Sequence, residues 1–248
     1  MLRGLFKLTW LEIKIFLREP LGVFGSIGVP IAIFVFLGRL GRDGSRPSSR
    51  VPAFIGPDLP IFTAIMISLS AVMSLVAIIA IYREGGILKR LRATPLRPQT
   101  ILTAHVLVKL LTTLASVVAL MIAGRRYGPA GADVPYAAFA FAVLFSTLSI
   151  LSMGFIVASL VPTARFAQPI GTLLFYPMLI LSGLFFPIDS LPPLARSLAR
   201  LLPVSHAVSL MKGAWQGHPW QALAGDAGML ALVLIVCVAL SARVFRWE

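Results

Sequence analysis

Asparagine is absent from the 248 residues, so the chain has no N-glycosylation acceptor, and its single cysteine, Cys237, excludes an internal disulfide framework. Charge is also scarce. Only 12% of residues are Asp, Glu, Lys or Arg, against about 25% in a typical soluble domain. The nine acids form no close pair within an apolar run that could serve acid–base chemistry. His105, His206 and His218 are scattered and fit no metal-ligand spacing, so neither a catalytic set nor a metal site is expected. Ser209-Leu-Met-Lys212 matches the S-x-x-K pattern of acyl enzymes, but its companion motifs are missing. The richest glycine stretch, Gly38–Ser45, lacks the lysine that a phosphate-cradling P-loop requires, so ATP hydrolysis is not expected in this chain.

What the chain has in excess is apolar side chains: 58% of residues are hydrophobic and the mean hydropathy is +0.92. A soluble chain of this size could not bury that much apolar surface. The net charge of +13 would suggest nucleic acid in a soluble protein, but here the bases fill gaps between apolar runs, as membrane topology requires. A spanning helix needs about 20 mostly apolar residues. Six stretches qualify: Leu21–Leu37, Ile61–Ile81, Ile101–Ala123, Tyr136–Val161, Phe166–Phe186 and Leu223–Ala242. They are too long and continuous for the short alternating strands of a barrel. Pro30, Pro169 and Pro177 fall inside spans and should kink them. The expected fold is an all-α polytopic membrane protein with six transmembrane helices, a single domain over residues 1–248. No internal repeat is visible, which weighs against an inverted-repeat secondary transporter.

Residues Met1–Glu19 carry charges throughout and lack the apolar core of a signal peptide. On a helix, Arg3, Lys7, Lys14 and Arg18 share a narrow arc, with Leu5, Phe6, Ile13 and Phe16 opposite. That pattern predicts an amphipathic interfacial helix, or else a charged extension of the first span. Both versions place the N-terminus in the cytoplasm, and six spans return the C-terminus there. Lys and Arg number 12 on the side so assigned and 9 on the other, a modest bias of the right sign.

Residues 82–98 form the most informative loop. Ile87, Leu88 and Leu91 make one apolar face of a short helix, Lys89, Arg90 and Arg92 face away, and Thr94-Pro95 ends it. Such a tip suits either a cytosolic partner or anionic lipid headgroups. Beyond the fifth span, in residues 187–222, Leu191, Leu194, Leu198, Leu201 and Leu202 share a face opposite Arg196 and Arg200, which reads as an external re-entrant or interfacial helix. Within the spans, His105 and Lys109 are spaced i, i+4 and share a face. Functional use is one reading; local satisfaction of His105 and snorkelling of Lys109 is the blander one. The Ser70, Ser74, Ala77 stripe fits helix packing better than a polar lining, and Asp226 lies near the start of the last span.

Two ordered motifs carry a resemblance. Glu84-Gly-Gly-Ile-Leu-Lys-Arg-Leu-Arg-Ala-Thr-Pro-Leu-Arg-Pro98 resembles the coupling segment of type-2 ABC transporter permeases, in the style of drug-resistance and nodulation-factor export permeases. Leu181-Ser-Gly-Leu-Phe-Phe-Pro-Ile-Asp-Ser-Leu-Pro-Pro193, followed by Leu201-Leu-Pro203, is similar to that family's signature after the fifth span. One departure is Ala104-His105, where these permeases often carry Gly-Lys.

The resemblance implies a permease subunit of an ATP-driven exporter of an amphiphile (drug, lipid or lipid-linked glycan). It would sit in the bacterial inner membrane and bind no cofactor itself. ATP and Mg would be bound by a separate ATP-binding subunit, and a second permease copy or paralogue would complete a dimer. It further implies ATPase coupling through Glu84, Ile87, Leu88, Arg90, Leu91, Arg92 and Pro95. Pathway residues would include Ser26, Ser68, Thr172 and Tyr176, with an external gate around Gly183, Phe186, Pro187 and Leu198. The rival readings are an integral membrane enzyme acting on lipid and a stand-alone secondary transporter.

Overall fold

The computed structural model describes residues 2–42, 58–85, 98–127, 135–161 and 163–244. The helices are α1 (Leu2–Arg18), α2 (Pro20–Val23), α3 (Val29–Arg42), α4 (Leu59–Glu84), α5 (Pro98–Tyr127), α6 (Tyr136–Leu160), α7 (Ala164–Ile180), α8 (Pro193–Leu201), α9 (Pro203–Trp215) and α10 (Trp220–Val244). A π-helical stretch, Phe24–Gly28, joins α2 to α3 and makes them one span.

Among the described residues, five helices are long and apolar enough to cross a membrane: Pro20–Arg39, Leu59–Tyr82, Thr100–Gly124, Tyr136–Ser159 and Trp220–Ser241. These match five of the six expected spans. The remaining one differs. The span expected over Phe166–Phe186 is not among these five: α7 has 17 residues and stops at Ile180, which gives it about 25 Å at about 1.5 Å per residue. Its apolar sequence runs on, but Gly183 adopts φ +80° and a Cβ there would meet Ile188 at 2.8 Å. The left-handed residue turns the chain, and a 3₁₀ turn, Ile188–Ser190, leads into α8.

Helix α6 is the hub, packing on α4, α5, α7, α9 and α10. Its fully buried Phe139, Ile150 and Leu151 share one apolar core with Ile65, Val72 and Leu75 of α4. Gly154 allows the closest approach, since a Cβ there would lie 3.0 Å from Val72 Cγ1. The Ser68 and Thr147 hydroxyls, 2.8 Å apart, join α4 to α6 in a fully buried site. Such interhelical hydrogen bonds hold helices together where lipid removes the hydrophobic drive to associate. Ser149 donates across to the Leu230 carbonyl of α10. The first and last spans expose large apolar residues such as Leu21, Phe36, Ile235 and Val238 to the surroundings.

The kink expected at Pro30 takes the form of the π-helical stretch just before it, where the Val29 N–H bonds to the Phe24 carbonyl five residues back. Pro169 and Pro177 lie inside α7. Helix α9 is the element that residues 187–222 did not reveal. It begins on Pro203, is walled in by α6 and α10, and buries Val204, Ala207, Val208, Leu210 and Met211. By contrast Leu194, Leu198 and Leu201 of α8 are exposed.

Candidate functional site

Helix α1 does more than rest on a surface, because one of its faces packs on α5. Phe6, Trp10 and Leu17 point elsewhere and are exposed. Where α1, the first span, α4, α5 and α7 converge they leave a cavity of about 670 Å³. Its wall is mainly apolar, with Met66, Met73, Ile78 and Phe175 among its members, and it carries a polar strip from three elements.

Glu12 of α1 and Glu19, the residue between α1 and α2, both line the cavity. From α5 come His105 and Lys109, 2% and 6% exposed. The Lys109 ammonium donates to Ser74 Oγ of α4 at 2.6 Å and stands 5.7 Å from the centre of the Phe16 ring. It therefore does not snorkel. His105 Nδ1 lies 3.6 Å from the Glu12 carboxylate, and the Tyr82 ring packs edge-on to the imidazole at 5.3 Å, its hydroxyl turned toward Glu12. Two buried polar atoms in this wall, His105 Nε2 and Thr113 Oγ1, have no hydrogen-bond partner among the described residues. Ser70, Ser74 and Ala77, read above as a packing stripe, line this space instead.

A second polar cluster gathers at the opposite ends of the spans, around α9. Lys212 Nζ donates to Asp58 at 2.9 Å and to the Gly183 carbonyl at 3.1 Å. Asp226 receives Ser209 Oγ at 2.6 Å and faces His206 Nδ1 at 2.7 Å, while His206 Nε2 lies 2.9 Å from the Arg200 carbonyl oxygen. Ser209 and Lys212 thus serve different carboxylates, so the S-x-x-K pattern is occupied by interhelical contacts.

The remaining expected site residues are placed as follows. Ser26 and Tyr176 line the cavity. Ser26 also donates to the Gly22 carbonyl at 2.7 Å. Ser68 is enclosed in the α4–α6 contact, and Thr172 is exposed on α7 and outside the cavity lining. Gly183 forms the turn after α7, Pro187 begins the 3₁₀ turn, and Phe186 and Leu198 are 59% and 48% exposed. Glu84, at the end of α4, accepts the Ala164 backbone N–H at 2.7 Å and so caps α7. Ile87, Leu88, Arg90, Leu91, Arg92 and Pro95 lie outside the described residues. Sequence reasoning missed Glu12, Glu19 and Tyr82. Both acids fall in the charged N-terminal segment, but nothing in that segment says what they face.

Five apolar helices crossing-length or longer, packed around buried hydroxyls, define a multi-pass helical membrane protein. The chain belongs to the ABC-2 type transporter family, whose model matches residues 3–214. That family supplies the membrane-spanning part of transporters, so the reaction chemistry is not expected in this chain. Among curated proteins it is similar to Nodulation protein J of Neorhizobium galegae, 30% identical over 131 residues, which is 50% of each chain. Nodulation protein J of Rhizobium leguminosarum bv. trifolii is 32% identical over 104 residues, 42% of this chain and 40% of that one. The matched part thus spans half or less of those relatives' length.

Proposed function

We propose that the chain is the permease subunit of an ATP-driven exporter and moves an amphiphile, such as a drug, a lipid or a lipid-linked glycan. The observation that carries this reading is the cavity beside α1, whose apolar wall and single polar strip suit a molecule with a tail and a head. In this reading the protein lies in the bacterial inner membrane with both termini cytoplasmic, and α7 together with its turn completes the sixth crossing. Residues 187–222 face outward, where the exposed leucines of α8 rest on lipid. Two permeases and two ATP-binding subunits make the working assembly, and the latter bind ATP and Mg. The Glu84–Pro95 segment carries their movement into the spans, with Ile87, Leu88 and Leu91 in a cleft of the ATPase.

Co-purification tests the assembly. A tagged chain should bring down an ATP-binding subunit whose hydrolysis responds to transported amphiphiles. Removing a buried leucine from a packed site costs about 2–5 kcal/mol, while an exposed charge contributes about 0–1 kcal/mol. Leu91→Ala should therefore uncouple hydrolysis from transport more than Arg92→Ala does. The opposite order would make the loop a lipid anchor and overturn the docking role.

A further inference from the structure

The polar strip of the cavity has a direction, and that direction restricts the head group it can hold. Lys109, the one lysine of the wall, is already engaged: its ammonium donates to Ser74 Oγ and stands over the Phe16 ring. The two carboxylates are in a different condition. Glu12 is approached by two neutral groups, the Tyr82 hydroxyl and the His105 ring, and it shares the charge of Lys109 with Glu19. Glu19 is exposed and makes no side-chain cap for the helix that begins at Pro20. With the imidazole neutral, the lining carries two negative charges against one positive.

The unpartnered atoms point the same way. In the neutral ring the Glu12 carboxylate, 3.6 Å from Nδ1, favours the proton on that nitrogen by its charge, which leaves Nε2 of His105 as an acceptor. That Nε2 atom is buried and has no partner among the described residues. Thr113 Oγ1, also buried and without a partner, can accept as well. Two carboxylates and a lone-pair nitrogen call for a ligand that brings both positive charge and N–H donors, and the apolar majority of the wall calls for a hydrophobic body beside them.

We propose that this cavity binds an amphiphile whose head group is a protonated amine, its N–H groups shared between Glu12, Glu19 and His105 Nε2 while its apolar part lies along Met66, Met73 and Phe175. This assignment names the substrate class of the permease site proposed above and rests on that reading. An anionic head would meet two carboxylates against a single lysine among the described lining residues, and a quaternary ammonium would leave His105 Nε2 without a donor.

Dansylcadaverine, an aromatic probe ending in a primary amine, tests the proposal by its emission when the full chain in phosphatidylcholine nanodiscs is titrated. Saturable, blue-shifted binding is expected, and the N-acetylated probe, of nearly the same shape without the charge, should bind about tenfold more weakly or worse. Glu19→Gln should raise Kd by about tenfold with thermal unfolding nearly unchanged, because that side chain is exposed and makes no cap hydrogen bond. Glu12→Gln should do the same, although it can also loosen α1, which makes Glu19→Gln the deciding variant. Equal binding of the amine and its acetylated form, or an unchanged Kd in Glu19→Gln, would overturn the proposal. The assembly gives the second readout. If hydrolysis in the complex with its ATP-binding subunit is stimulated by the acetylated probe and not by the amine, the head-group assignment falls and the permease reading stands. If the chain binds the amine but associates with no ATP-binding subunit, the permease reading falls instead.

Discussion

The cavity beside α1 and the cluster around α9 are built from the same kinds of side chain, a lysine, a histidine, two acids and several hydroxyls, yet they are wired in opposite ways. Around α9 each charge closes on a partner: Lys212 on Asp58, Asp226 on both His206 and Ser209, and His206 on the Arg200 carbonyl. In the cavity Lys109 is satisfied, but His105 Nε2 and Thr113 Oγ1 are not, and Glu19 faces open space. A buried polar group without a partner costs about 1–3 kcal/mol. The charges of the α9 network are all paired, although Ser205 Oγ of that helix is not, and they fix a short helix among its neighbours, whereas the cavity leaves acceptors beside its charges that a ligand can satisfy. Polarity inside a membrane protein is thus two different things, and the test is whether each atom is already paired.

The largest effect should come from breaking the α9 network at its ion pair. Lys212→Met leaves Asp58 and the Gly183 carbonyl without their donor. Removing one partner of a fully buried pair costs about 3–5 kcal/mol. Here both side chains are about a quarter exposed, so about 2 kcal/mol is expected after allowance for solvent, read as a lower Tm in detergent. Asp58→Asn added to it should recover much of the loss; a double variant as unstable as the single one would refute the pairing.

Next in size is Asp226→Ala, which strands His206 and Ser209 together. A loss of about 1–2 kcal/mol is expected, with protease accessibility rising first in residues 203–215. Uniform cleavage across the chain would contradict a local clasp. Ser68→Ala, in the dry α4–α6 contact, should cost about 0.6 kcal/mol, the average for interhelical hydrogen bonds in a membrane. A chemical-denaturation series resolves that value.

Smallest is Lys109→Met in the cavity. The variant removes the cost of burying an ammonium but also its attraction to Glu12 and Glu19, two opposed effects, so Tm should change little while amine affinity increases. A fall comparable to Lys212→Met would erase the contrast between the two regions.

Five spans were legible because each is an uninterrupted apolar run bounded by charge or proline. Helix α9 was not. Its apolar positions are broken by Ser205, His206, Ser209 and Lys212, and 13 residues fall short of a span. Only the partners Asp58 and Asp226, contributed by distant helices, make those polar residues tolerable in the interior. The early end of α7 was hidden for a related reason, since Leu184, Phe185 and Phe186 continue the hydropathy while Gly183 alone turns the backbone. In the cavity, the His105–Lys109 pair could be read from its spacing. The acids opposite it could not, because nothing in a local pattern says that α1 folds back onto α5.

The Glu84–Ala164 hydrogen bond spans 80 positions of sequence. Seen as ring closure, it clips the end of α4 to the start of α7 and encloses α5 and α6 as a single loop of chain. The clasp is one helix cap, a contact of about 1 kcal/mol, so thermal motion opens it several times more rarely than it closes. Whatever draws on the segment after Glu84 therefore meets a latch first. When it slips, only the end of α4 and the start of α7 can part, because the two helices also pack on each other.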